Sequence, residues 1–150
     1  MAIWILIKNL FVYSENRNLD KKRVHNLINS LKLELQFTIQ SLYINFIDSE
    51  KIREINKEYL KHNYSTDVIS FNYSGSNNEL DGEIFISLDD AAGFAEKYKV
   101  SLNSELKRLV IHGILHLIGF NDNNKSNRSK MKKMENSLLN KNNFALLRSE

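Results

Sequence analysis

The residues best placed to do chemistry in this chain are His112 and His116, four positions apart, followed by Gly119 and Asp122 in the segment HGILHLIGFND. On a helix, residues at that spacing stack on one face about one turn apart, so both imidazoles can converge on one ion. A glycine just past the helix end can take a left-handed conformation and turn the chain, which returns Asp122 to the ion as a third ligand. Imidazole nitrogen and carboxylate oxygen both suit zinc at about 2.0–2.2 Å, and three protein ligands leave a fourth position open, the arrangement of a catalytic site. The order histidine, three residues, histidine, two residues, glycine, two residues, donor is also that of the metzincins, with Asp in place of their third His. Zinc peptidases carry a glutamate base directly after the first histidine, and here that position is Gly113. A bond other than the peptide bond is therefore expected, with water activated mainly by the metal. The competing reading is a core helix whose histidines are hydrogen-bonded, with Asn121 and Asp122 as turn residues.

Composition narrows the ligands further. There is no cysteine, which excludes disulfides, thiolate metal sites and a cysteine nucleophile. At 150 residues the chain is long enough for one core, so a single domain over 1–150 is expected. Apolar residues make up 42% and charged residues 26%, as in soluble globular proteins. The N-terminal MAIWILIKNLFVY is interrupted at Lys8 and Asn9, too short to span a bilayer and without the features of a signal peptide. A cytoplasmic protein with no membrane partner is the expectation. Net charge is +3, and the basic residues concentrate from Asn123 to Arg148, where Glu135 is the single acid. Such a stretch reads as a solvated helix face or as a contact for RNA.

The elements that must position these residues follow from periodicity. Ile3 to Ile7 reads as a strand buried on both faces. Asp20 opens a helix with Val24, Leu27, Ile28, Leu31 and Leu35 on one face, within which His25 is assigned to the surface. Ser41 to Ile47 alternates as a second strand. Asp48 and Ser49 cap a helix to about Lys61 with Ile52, Ile55, Tyr59 and Leu60 inward. Asp67 to Tyr73 and Gly82 to Ser87 read as strands flanking a polar loop, and a helix is expected from Leu88 to Tyr98. Ser101 caps the central, metal-bearing helix, and a last helix from about Ser126 to Asn140 packs through Met131, Met134, Leu138 and Leu139. The fold class expected is α+β, a small mixed sheet of about four strands around that central helix.

With these residues in place the chain resembles the YbeY family of bacterial rRNA-maturation proteins, whose hallmark is H-G-x-L-H-L-x-G-x-D-H. His112, Gly113, Leu115, His116, Leu117 and Gly119 match it, and INKEY (Ile55 to Tyr59), STDVISF (Ser65 to Phe71), GEIFIS (Gly82 to Ser87) and SELKRLVIHGILHLIG keep the family's order and spacing. The resemblance implies a zinc-dependent, single-strand-specific endoribonuclease that matures the 3′ end of small-subunit ribosomal RNA and acts in ribosome quality control, with ribosomal RNA and the small subunit as partners. Two departures stand out. The family's closing Asp-His is Asn121-Asp122 here, so the ligand set becomes His112, His116 and Asp122. Leu60 stands where the family usually has an arginine, and Lys61 can replace its charge if the chain has left the helix there. Lys57, Thr66 and Ser70 are candidate substrate contacts, and Tyr59, Tyr64 and Tyr73 can either stack bases or pack. The alternatives to the endoribonuclease are a metal-binding ribosome-biogenesis factor with little catalysis and a zinc hydrolase of another substrate.

Overall fold

The computed structural model describes residues 5–61 and 66–148. Its elements run β1 (Leu10–Ser14), α1 (Lys21–Leu35), β2 (Thr38–Ile47), α2 (Ser49–Leu60), β3 (Val68–Asn72), β4 (Glu79–Ser87), α3 (Leu88–Tyr98), α4 (Leu102–Leu117) and α5 (Lys125–Lys141). The fold is α+β, built on one mixed sheet in the order β1-β2-β4-β3. Strands β1 and β4 run parallel to β2, while β3 returns antiparallel to β4 and forms an edge. Each helix starts at a side chain that accepts an orphan backbone N–H: Asp20, Asp48, Ser87, Ser101 and Asn124.

The inner face of the sheet, including Leu42, Ile44, Phe46, Leu80, Ile84 and Ile86, packs with α1, α4 and α5 into one core. Burying each such side chain contributes about 1.5–3 kcal/mol. A smaller cluster of Ile47, Ile52 and Ile69 lies under α2 on the other face. That layering puts α4 in the middle of the molecule, where the breadth of its apolar pattern demands.

Three expectations are corrected. The first strand is not Ile3 to Ile7: Ile3 and Trp4 lie outside the described residues, Ile5 and Leu6 are exposed, and the strand is LFVYS at Leu10–Ser14. The amides of Ile5 and Ile7 donate to Asn26 Oδ1 and His25 Nδ1 of α1, so side chains take them up instead of a sheet ladder. On the inner face of α2, Tyr59 and Leu60 are exposed and the buried residues are Ile52 and Asn56. Ile52 packs into the smaller cluster, while Asn56 and Leu60, one and two turns on, border a cleft shared with residues of α4.

His25 is accordingly half-buried rather than a surface residue, and burial holds its imidazole below the usual value of 6.5. Its Nδ1 accepts the Ile7 N–H at 2.9 Å, which requires an unprotonated nitrogen. Below that usual value the unfolded chain takes up a proton that the folded chain resists, so this contribution is present at higher pH and lost as pH falls. Exchange protection of the Ile7 amide, followed by NMR from about pH 7 to about pH 5, is expected to drop with acidification, and protection independent of pH would refute the link.

Candidate metal centre

The centre is built on the last two turns of α4. Gly113 lets the helix backbone lie directly on β4: a Cβ there would sit 2.9 Å from two carbons of Ile84 and 3.2 Å from Ser70 Oγ. Position 113 therefore has no room for an acid of any kind. After Leu117 the chain reverses, with Gly119 at φ +107°, the Gly119 N–H donating to the His116 carbonyl and the Phe120 N–H to the Leu115 carbonyl. The reversal carries Asp122 back to the helix face, and ligand atoms of His112, His116 and Asp122 all lie within 4.8 Å of one another. The two Nε2 atoms are 3.0 Å apart.

Behind the histidines lies a charged network that the sequence reading did not anticipate. Glu135 Oε2 sits 2.5 Å from His112 Nδ1. A carboxylate can only accept, so Nδ1 carries the proton and Nε2 keeps its lone pair for an ion. Arg108 donates to Glu135 Oε1 at 3.3 Å and to both oxygens of Glu105 at 2.8 and 2.7 Å. Glu105 is 1% exposed, and its hydrogen bonds hold the Arg108 guanidinium firmly charged. Burial, with the neighbouring His112, keeps the His116 imidazole below its ordinary value, against the opposite pull of Asp122 and Glu135. Neutral His116 is the form that ligates. Two imidazoles and a carboxylate, one imidazole already oriented from behind, form a donor set that fits a divalent ion.

An open cleft of about 430 Å³ abuts the histidines, walled by α2 and the β3 edge. Thr66 and Ser70 line it, and so do Asn56 and Leu60. Ser70 Oγ donates to the Gly113 carbonyl at 3.4 Å, and Asn72 Nδ2 to the Leu117 carbonyl at 3.3 Å, so β3 is stitched to α4 along the cleft. Lys57 and Lys61 are exposed and lie outside the lining. Helix α2 ends at Leu60 and Lys61 is its left-handed cap, with φ 61°. The chain has thus left the helix at Lys61. Tyr59 and Tyr73 flank Phe71 away from the cleft, and hydrogen bonding to Glu83 helps burial push Tyr73 up to about 12. His62 and Tyr64 lie outside the described residues. Among the described residues no helix is long and apolar enough to cross a membrane.

Asn56 and Glu135 were missed because each is far in sequence from the histidines, and Arg108, one turn before His112 on α4, because the partner that gives it meaning is Glu135. A signal did exist for Glu135, which shares a helical stripe with Met131 and Leu138, two buried residues. An acid on an apolar stripe has to find a partner.

Residues 10–143 match the family model described as Endoribonuclease YbeY. Among curated relatives, the Endoribonuclease YbeY of Parabacteroides distasonis is 46% identical over 63% of this chain and 66% of its own length. The Bacteroides fragilis protein of that name is 36% identical over 81% and 87%, and that of Syntrophus aciditrophicus 33% over 92% and 89%. The solution structure of a Thermotoga maritima protein, 24% identical, superposes with a TM-score of 0.62 over 88% of this chain and 90% of that one, a likeness of fold.

Proposed function

The chain belongs to the YbeY endoribonuclease family, and on that premise we propose that residues 1–150 form one metallohydrolase domain that cleaves single-stranded RNA with one zinc ion. The reading extends to 3′-end maturation of small-subunit ribosomal RNA and ribosome quality control in the cytoplasm. The observation that carries it is the convergence of His112, His116 and Asp122 beside an open cleft with hydroxyl groups on its wall.

His112, His116 and Asp122 would hold the ion. Zinc there supplies a Lewis acid that acidifies water and polarises a phosphoryl oxygen. Relative to a third histidine, the Asp122 carboxylate lowers the net charge of the centre by one unit, which weakens that Lewis acid. The Thr66 hydroxyl is assigned a hydrogen bond to a substrate oxygen, and Ser70, whose proton goes to the Gly113 carbonyl, offers substrate an acceptor. Leu60, which lines the cleft at the family's arginine position, excludes water but stabilises no charge. Lys61, free of helical geometry, is assigned the neutralisation of the scissile phosphate, with Lys57 contacting a phosphate farther along α2. Because Lys61 is exposed and its field screened, Lys61→Ala should lower kcat by about tenfold, less than loss of an enclosed donor costs. An unchanged rate removes Lys61 from the mechanism.

Leu60 and Asp122 together favour a second reading, a metal-binding ribosome-biogenesis factor with little catalysis. Zinc-loaded protein incubated with single-stranded and duplex RNA separates the two. Cleavage confined to single strands, lost with a chelator and restored by zinc, is expected. Stoichiometric zinc without cleavage selects the second reading, and cleavage indifferent to the chelator defeats both.

A further inference from the structure

The cleft beside β3 accounts for only one side of the His112, His116, Asp122 cluster. On the other side lies a cavity of about 530 Å³ between α3, α4 and α5, and His112 and Asp122 line it as well. Phe94, Val100 and Met131 give it an apolar wall, the carboxylates Glu105 and Glu135 that also line it are both engaged by Arg108, and Arg128 and Lys132 of α5 border it beside Asp122. The centre therefore sits between two concavities.

Helix α5 has an unusual charge distribution. It carries Lys125, Arg128, Lys130, Lys132, Lys133 and Lys141, and its single acid, Glu135, is buried against His112 and Arg108. The exposed charges of α5 are thus all positive. At 100° per residue, Lys125, Arg128 and Lys132 fall within about 60° of one another, on the side adjoining Glu135, whereas Lys130 and Lys133 lie on a different arc. Among the described residues none of these five side chains forms an ion pair. Arg128 Nη1 donates to the Asp122 carbonyl at 3.3 Å, which places its guanidinium beside the candidate ligand and leaves its charge uncompensated. Like charges at helical spacing cost folding energy, so the stripe contributes nothing to stability that would explain it.

We infer that this second cavity is a nucleotide subsite, in which the α5 stripe holds phosphates of a single-stranded nucleic acid on the side of the centre opposite the β3 cleft. The apolar wall receives a base, and the cations neutralise the backbone as it leaves the metal cluster. The inference rests on the proposed action on RNA and adds where the second flank of the strand is bound.

The test measures binding to zinc-loaded protein of a single-stranded 2′-O-methyl RNA of about ten nucleotides as a function of salt. Each phosphate contact contributes about 0.7 to the slope of log K against log salt for single strands. Replacing both Arg128 and Lys132 by glutamine should make the slope shallower by about 1.4 and weaken binding roughly tenfold at low salt. The pair Lys130→Gln with Lys133→Gln removes equal charge from the other arc and should change the slope by less than half as much. Lys132→Gln alone, which leaves the Asp122 contact intact, should give about half the effect of the stripe pair. Equal effects of the two pairs, or none from either, overturn the subsite. A protein that binds with this pattern yet cleaves no RNA contradicts the proposed activity and leaves the subsite standing. Normal cleavage with indistinguishable slopes removes the subsite alone.

Discussion

His116→Ala is expected to strip the protein of its metal and lower RNA cleavage by more than about 100-fold. That exceeds the 10- to 100-fold cost typical of losing a group that only supports a ligand. With His116 gone, two donors remain, and one of them, Asp122, is exposed on a loop. Asp122→Ala should weaken the metal as well but retain some binding, because both helix-borne imidazoles survive on a rigid element. Zinc stoichiometry after dialysis, measured beside cleavage rates, separates the two variants, and thermal unfolding of the metal-free proteins shows whether the fold is intact. One zinc per chain in His116→Ala would end the assignment. Asp122→His provides the reciprocal arm, in which the added unit of net charge on the centre should make it the stronger Lewis acid.

The second large effect is expected at a residue that touches no ion. Glu135→Gln keeps the size of the side chain but removes the charge that fixes the proton on His112 Nδ1 and one of the carboxylates around Arg108. Zinc affinity should fall 10- to 100-fold, read by chelator competition. Stability of the metal-free protein should fall by about 1–3 kcal/mol, since Arg108 loses one charged partner and keeps Glu105. Affinity within twofold of the parent would reduce Glu135 to a packing residue.

Helix α3 runs from Leu88 to Tyr98 as expected, and the structure adds what ends it, the Ser87 cap and the left-handed Lys99. The metal-bearing helix was equally legible, since Ser101, the broad apolar pattern and Gly119 all argue for one element. The first strand was not. An edge strand such as LFVYS buries only alternate residues and looks weaker than the continuous run before it, whose amides are claimed by side chains from α1. Strand β4 begins at Glu79 rather than Gly82 because ladder pairing with Thr38 and Ile39 depends on the backbone and tolerates polar residues. At the centre, the ligands on one helix were visible as spacing. Asn56 and Glu135 became visible only when tertiary packing brought α2 and α5 to α4, and the Glu105–Arg108 pair, although on the ligand helix itself, gained its link to the centre only through Glu135.

The contact between Gly113 and Ile84 bears on how the molecule can move. With no side chain of its own at Gly113, α4 lies flush against the Ile84 side chain, and a contact this close leaves little slack between the sheet and the floor bearing the two histidines. Any breathing that admits a strand must then come from the rim, where α2 ends at Leu60 and β3 offers an unpaired edge. Substitutions in that rim should alter how quickly strands enter and leave, while the coordination geometry beneath them stays in register.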